Sequence, residues 1–174
     1  MNEILEEEVT LLKRYREGDE TALTSLIKLY QQKVFVLALY TSGCDANKAY
    51  EITASSFVSA IRKSPSFFGK TPFLRAVIRF AIDSAQNFNT LLAPSQMDSS
   101  EPSAVKKEIH RVVRRALLAL PLEVRLILLL RDQLNLSYED VSSILKISQE
   151  QVKMKLDNAR AQLRQQVETM VGRP

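Results

Sequence analysis

The stretch Ser137–Leu156, SYEDVSSILKISQEQVKMKL, decides how this chain reads. Two runs with apolar residues at helical spacing flank a three-residue break, Lys146, Ile147 and Ser148. Val141, Ile144 and Leu145 give the first run an inner face. Val152, Leu156, Ala159 and Leu163, spaced by four, three and four, give one to the second. Ser137 with Asp140, and Ser148 with Gln151, have the three-residue offset of capping boxes. Ile147 is placed to wedge between the runs. So tight a pair reads as a helix-turn-helix, whose second helix enters a major groove. A hairpin that merely packs shares this spacing, so both readings stand at this point.

With Val152 inward, a rotation of about 100° per residue directs Glu150, Met154, Asp157, Asn158 and Ala161 outward. Lys153, Arg160 and Arg164 line one flank, Lys155 and Gln162 the other. Flanking cations suit phosphates, while outward polar groups near the helix start suit base edges. Glu150 is of a type that accepts from cytosine N4, and Asn158 of a type that pairs with adenine. The candidate DNA contacts are therefore Gln149, Gln151, Lys153, Met154, Lys155 and Asn158, with Arg160 on phosphate. Asp157 on the same face argues the other way, since phosphates repel it.

Upstream of this pair the chain also reads as helices. Gly18–Ala22 is a turn followed by an acidic first helical turn. Leu23, Leu26, Ile27, Tyr30, Val34, Leu37 and Ala38 then mark a long amphipathic helix, broken at Ser42–Asp45. A lighter face follows, with Ile52, Ser56, Phe57, Ser59, Ala60 and Ile61. Residues 64–72 read as a loop, with Pro72 suited to a helix's first turn. Phe73, Leu74, Val77, Ile78, Ala81 and Ile82 form another stripe. Periodicity dissolves over 89–103, where Pro, Ser and acids mix, and resumes over 105–120 and 122–132 around Pro121. The expectation is an all-α protein of two small helical domains, 1–93 and 105–174, joined by a linker at 94–104. With only 4 Gly and 6 Pro in 174 residues, a fold rich in tight β-turns is disfavoured.

The net charge of +4 matters less than its distribution. No acid lies between Glu51 and Asp83, whereas Arg62, Lys63, Lys70, Arg75 and Arg79 all do. Lys106, Lys107, Arg111, Arg114 and Arg115 form a second basic set. Such fields suit a polyanion, although solvated helix faces look the same. One cysteine, Cys44, excludes an internal disulfide. The acidic start is unlike a signal peptide, and no run of eighteen apolar residues occurs, so a cytoplasmic protein is expected, away from membranes. His110 is the sole histidine, in a basic helical run that suits surface better than general-base work. Metal-ligand spacings and Gly-rich phosphate loops are lacking, so no catalytic residue, metal or cofactor is expected.

Residues 118–164 resemble the C-terminal domain of bacterial extracytoplasmic-function (ECF) sigma factors. The resemblance rests on Leu120–Pro121, Arg125, the opening Ser137–Val141, the Ile147–Ser148 turn, Val152–Lys153, Ala159–Arg160 and Leu163–Arg164. Gly18–Leu23, Tyr30–Phe35, Lys48–Arg62 and Phe73–Ser84 resemble the same family's N-terminal domain more loosely. The resemblance implies a non-enzymatic protein that binds core RNA polymerase and promoter DNA in transcription initiation, with an anti-sigma factor as a further partner. It implies a polymerase face at Glu51, Ala54 and Ser55, and candidate contacts to the downstream promoter element at Lys70, Arg75 and Arg79. The family usually has Gln-Glu where Ala54–Ser55 stands, and aromatic or basic residues where Asp157 and Asn158 stand. Two alternatives stay open: a sigma-like regulator acting by protein contact, and a helix-turn-helix repressor.

Overall fold

The computed structural model describes residues 2–63, 73–89 and 104–172, which form helices and turns with no strand among them. The chain divides into two compact units, Met1–Ala93 and Pro94–Pro174. The expected loop at 64–72, with Lys70 and Pro72, lies outside the described residues, as does the linker, except that Ala104 already opens a helix.

The N-terminal unit holds α1 (Asn2–Arg16), α2 (Glu20–Thr41), α3 (Ala46–Arg62) and α4 (Phe73–Asn89). Gly18 reverses the chain after α1 at φ +95°, a conformation that side-chain-bearing residues resist. Asp19 then caps α2, accepting from the Thr21 N–H at 2.9 Å, and Asp45 caps α3 through the Lys48 N–H at 3.1 Å. Leu26, Tyr30, Val34, Leu37 and Ala38 are buried, so the stripe expected on α2 is its core face, packed against α1, α3 and α4. Small residues on α3 and α4, among them Ala49, Ala60, Ala76 and Ala81, bring those two helices close. The Ser56 hydroxyl in this seam donates to the Ile52 carbonyl, so its burial leaves no lost donor.

Glu8 of α1 is buried, with 2% of its surface exposed. Its Oε2 accepts from the Tyr30 hydroxyl at 2.6 Å, and its Oε1 from the Phe73 N–H at 2.6 Å. One carboxylate thus ties α1 to α2 and satisfies the first amide of α4. Burial pushes the Tyr30 phenol above its ordinary range, and the Glu8 hydrogen bond adds to the rise.

The C-terminal unit holds α5 (Ala104–Ala119), α6 (Leu122–Leu128), α7 (Tyr138–Leu145) and α8 (Gln149–Val171). Residues 122–132 do not form one uniform α-helix. α6 widens into a π-helical turn at Leu129–Gln133, where the Leu134 N–H reaches the Leu129 carbonyl at 2.8 Å. Asn135, at φ +53°, then turns the chain toward α7. Leu126 through Leu130, Leu134, Leu136, Val141, Ile144, Val152, Leu156 and Ala159 are buried and make the core. Arg125 fastens the end of α5, donating to the carbonyls of Leu117, Leu118 and Leu120 at 3.1, 2.6 and 3.0 Å.

Candidate nucleic-acid interface

Short-range chemistry builds the helix-turn-helix. Ser137 accepts from the Asp140 N–H at 3.0 Å and donates its hydroxyl to the Asp140 carboxylate at 2.6 Å, fixing the start of α7. Lys146 ends α7 in the left-handed region at φ +56°, and the Ser142 hydroxyl holds the turn through the Ile147 carbonyl. Ser148 and Gln151 close a full capping box at α8: the Ser148 Oγ accepts from the Gln151 N–H at 3.1 Å, and the Gln151 Oε1 accepts from the Ser148 N–H at 2.9 Å. Val141, Ile144, Val152, Leu156 and Ala159 are buried, while Leu145, Ile147 and Leu163 are half-buried.

Behind α8 the aliphatic seam is covered, and in front Gln149, Gln151, Lys153, Met154, Lys155, Asn158 and Arg160 are all exposed. Three of these are already engaged. The Gln151 carbonyl belongs to the capping box. Asn158 Oδ1 accepts from the Gln162 amide at 3.2 Å. Arg160, expected on phosphate, grips Asp132 in the π-helical turn, with Nε and Nη2 at 3.0 and 2.6 Å from the two carboxylate oxygens. It also lies 3.9 Å from Asp157. Lys146, exposed in the turn itself, adds a cation that the sequence reading had not assigned to DNA. Arg131 supports the approach to α7, lying 4.8 Å from the Tyr138 ring centre and donating to Asn135 and Leu136.

In the N-terminal unit, Glu51, Ala54 and Ser55 are exposed together on the outer side of α3. Tyr50 and Val58, 65% and 46% exposed, share that side, one helical turn either side of Ala54. Sequence reasoning missed both, although the Tyr50–Ala54–Val58 spacing of four is a visible signal. Tyr50 leans on Phe35 with ring centres 4.7 Å apart. Arg75 and Arg79 stand one turn apart on α4, each half-buried. Near them Lys63 lies 4.8 Å from the Phe80 ring centre. Cys44 is buried, away from the reactive, solvent-exposed setting of a redox thiol. Among the described residues no helix is long and apolar enough to cross a membrane, and no group of three or more His, Cys, Asp or Glu is placed to hold a metal.

These features define a class: a two-unit helical protein whose C-terminal unit presents a capped, cation-flanked recognition helix. Residues 110–163 match the family model for Sigma-70, region 4. Over nearly its whole length the chain resembles ECF RNA polymerase sigma factors. It is 25% identical to the ECF RNA polymerase sigma-E factor of Haemophilus influenzae, over 92% of this chain and 95% of that one. It is 26% identical to the RNA polymerase sigma-H factor of Pseudomonas aeruginosa, over 89% and 91%. Its fold matches that of CnrH, solved in complex with the cytosolic domain of CnrY (TM-score 0.75, 18% identity, 94% of this chain and 98% of that one). It also matches the sigma factor RpoE of Bartonella quintana, solved with the anti-sigma factor NepR (TM-score 0.69, 16% identity, 83% and 96%).

Proposed function

We propose that this protein is an ECF-type sigma factor, which joins core RNA polymerase in the cytoplasm and directs it to promoters. The carrying observation is α8: a helix capped at its first turn, backed by a buried seam, with its outer face open and flanked by lysines. Lys153 and Lys155 suit the phosphates of an upstream promoter element, and Gln149, Met154 and Asn158 its base edges. Arg75 and Arg79 of α4, with Lys70, belong to the downstream element. The outer side of α3, from Tyr50 to Val58, is the polymerase face. The protein acts by binding, and covalent chemistry is left to the polymerase.

The test is reconstituted transcription: the purified chain added to core polymerase yields transcripts that start at defined promoters. Lys153→Ala weakens promoter binding and lowers the slope of log affinity against log salt by about 0.9, the loss of one phosphate contact. Failure of the chain to support any promoter-dependent transcript would overturn the reading.

A second reading is a sigma-like regulator that acts through protein contact, holding an anti-sigma factor or another helical partner. The α3 face favours it, because Ala54–Ser55 beside exposed Tyr50 and Val58 offers apolar and small groups where charge is usual for the family. Recovery of polymerase subunits from cell extract, without a smaller helical protein, would dismiss it.

A further inference from the structure

The outer face of α8 constrains which bases an upstream element can present, an inference that rests on the sigma-factor reading. Turning about 100° per residue away from the Val152, Leu156 and Ala159 seam brings Glu150 and Met154 to the centre of that face, one turn apart. Both lie in the first two turns, the part of a recognition helix that reaches base edges. Met154 is 66% exposed.

Guanine is ordinarily read by a two-pronged Arg or Lys contact to O6 and N7. Among the described residues of α8, no guanidinium is placed for this. Arg160 is held by both oxygens of Asp132, and Arg164 lies four turns along the helix. Lys153 and Lys155 sit on the flanks, toward the phosphate walls. Gln151 cannot make the paired contact with adenine while its carbonyl serves the capping box. At the centre of the first two turns the groups left are a carboxylate and a thioether, Asn158 lying further along with its Oδ1 accepting from Gln162.

A carboxylate lowered between two phosphate backbones is repelled unless a donor meets it. The donors in the major groove are the amino groups of cytosine and adenine, and Glu pairs characteristically with cytosine N4. Asp157 lies near the Arg160 guanidinium, whereas no ion pair engages Glu150 among the described residues. Met154 offers only apolar, polarizable surface, which matches the thymine methyl group. We infer that Glu150 and Met154 are specificity-determining residues of the upstream contact, Glu150 reading a cytosine amino group and Met154 a thymine methyl group. Lys153 and Lys155 hold the phosphates on either side.

The test takes the full chain bound to core RNA polymerase and selects from DNA randomised across the upstream element. The expected site contains a cytosine and a thymine at neighbouring positions. Replacing that thymine by deoxyuridine removes only the methyl group, and should weaken binding about fourfold, the effect of one buried methyl. Met154→Ala should abolish this difference. Glu150→Gln should release the cytosine preference while leaving the thymine preference in place. An equal uracil penalty in the native chain and in Met154→Ala, or a site unchanged in Glu150→Gln, overturns the inference. So does a complex that initiates transcription but selects no upstream sequence, which leaves the sigma-factor reading standing. A chain that never joins polymerase overturns both.

Discussion

Two helices of this protein begin in contrasting ways. α8 is started by neighbours: Ser148 and Gln151, three residues apart, satisfy each other's backbone amides. α4 is started by Glu8, whose carboxylate accepts from the Phe73 N–H across 65 positions of sequence. The first device forms as soon as the local chain turns. The second exists only when α1, α2 and α4 have already packed, because Glu8 also receives the Tyr30 hydroxyl in the same buried place. A local cap therefore writes a boundary into the sequence, while a long-range cap makes a boundary depend on the whole unit.

Breaking the long-range cap should have the larger effect. Glu8→Ala leaves the Tyr30 hydroxyl and the Phe73 amide buried without that acceptor, at about 1–3 kcal/mol for each group. The expected loss is therefore several kcal/mol, confined to the N-terminal unit and read by hydrogen exchange at the start of α4. Glu8→Gln keeps one oxygen acceptor and should lose less. If amides in α4 exchange no faster in Glu8→Ala, the carboxylate is not what starts that helix.

Ser148→Ala is the matching test of the local cap. It removes the acceptor for the Gln151 N–H, while the backbone N–H at 148 still donates to the Gln151 side chain, costing about 1 kcal/mol in the C-terminal unit alone. Hydrogen exchange over α8 checks it, and the first turn should respond while Leu156 and Ala159 hold. A loss as large as that of Glu8→Ala would erase the contrast between the two kinds of start.

The same contrast explains how much was legible beforehand. Apolar spacing exposed the buried faces of α2, α4, α7 and α8, because burial repeats with the helical turn. Ser137 and Ser148 marked their helices, since a cap and its amide lie within one turn. Glu8 was invisible: an acid on a core face looks like a surface residue until Tyr30 and Phe73 come to it. The engagement of Arg160 was hidden for a related reason. Its partner Asp132 is 28 residues away, in a π-helical turn that no local pattern announced. Within the candidate interface, sequence could thus say which residues face outward. It could not say which of them, like Gln151 and Arg160, were already taken.

The smallest expected effect separates two kinds of evidence for a local cap. Asp19 starts α2, accepting from the Thr21 N–H and hydroxyl through one oxygen, and from Arg14 Nε and Nη2 at 2.9 and 2.6 Å through the other. These bonds, the Thr21 hydroxyl first, lower its pKa from 3.8 to about 2. The folded value is depressed, so the carboxylate's contribution to stability is complete above the unfolded value. It fades as pH falls from near 3.8 through about 2. A carboxyl titration followed by NMR should give Asp19 a midpoint near 2, and Thr21→Val should move it toward 3.8. Asp19 lies at the surface, where solvent screens such bonds, so the loss of stability at neutral pH should be smaller than that of Ser148→Ala. A midpoint left near 3.8 in the native chain would mean that these short bonds do not hold the charged form, and that α2 starts without them.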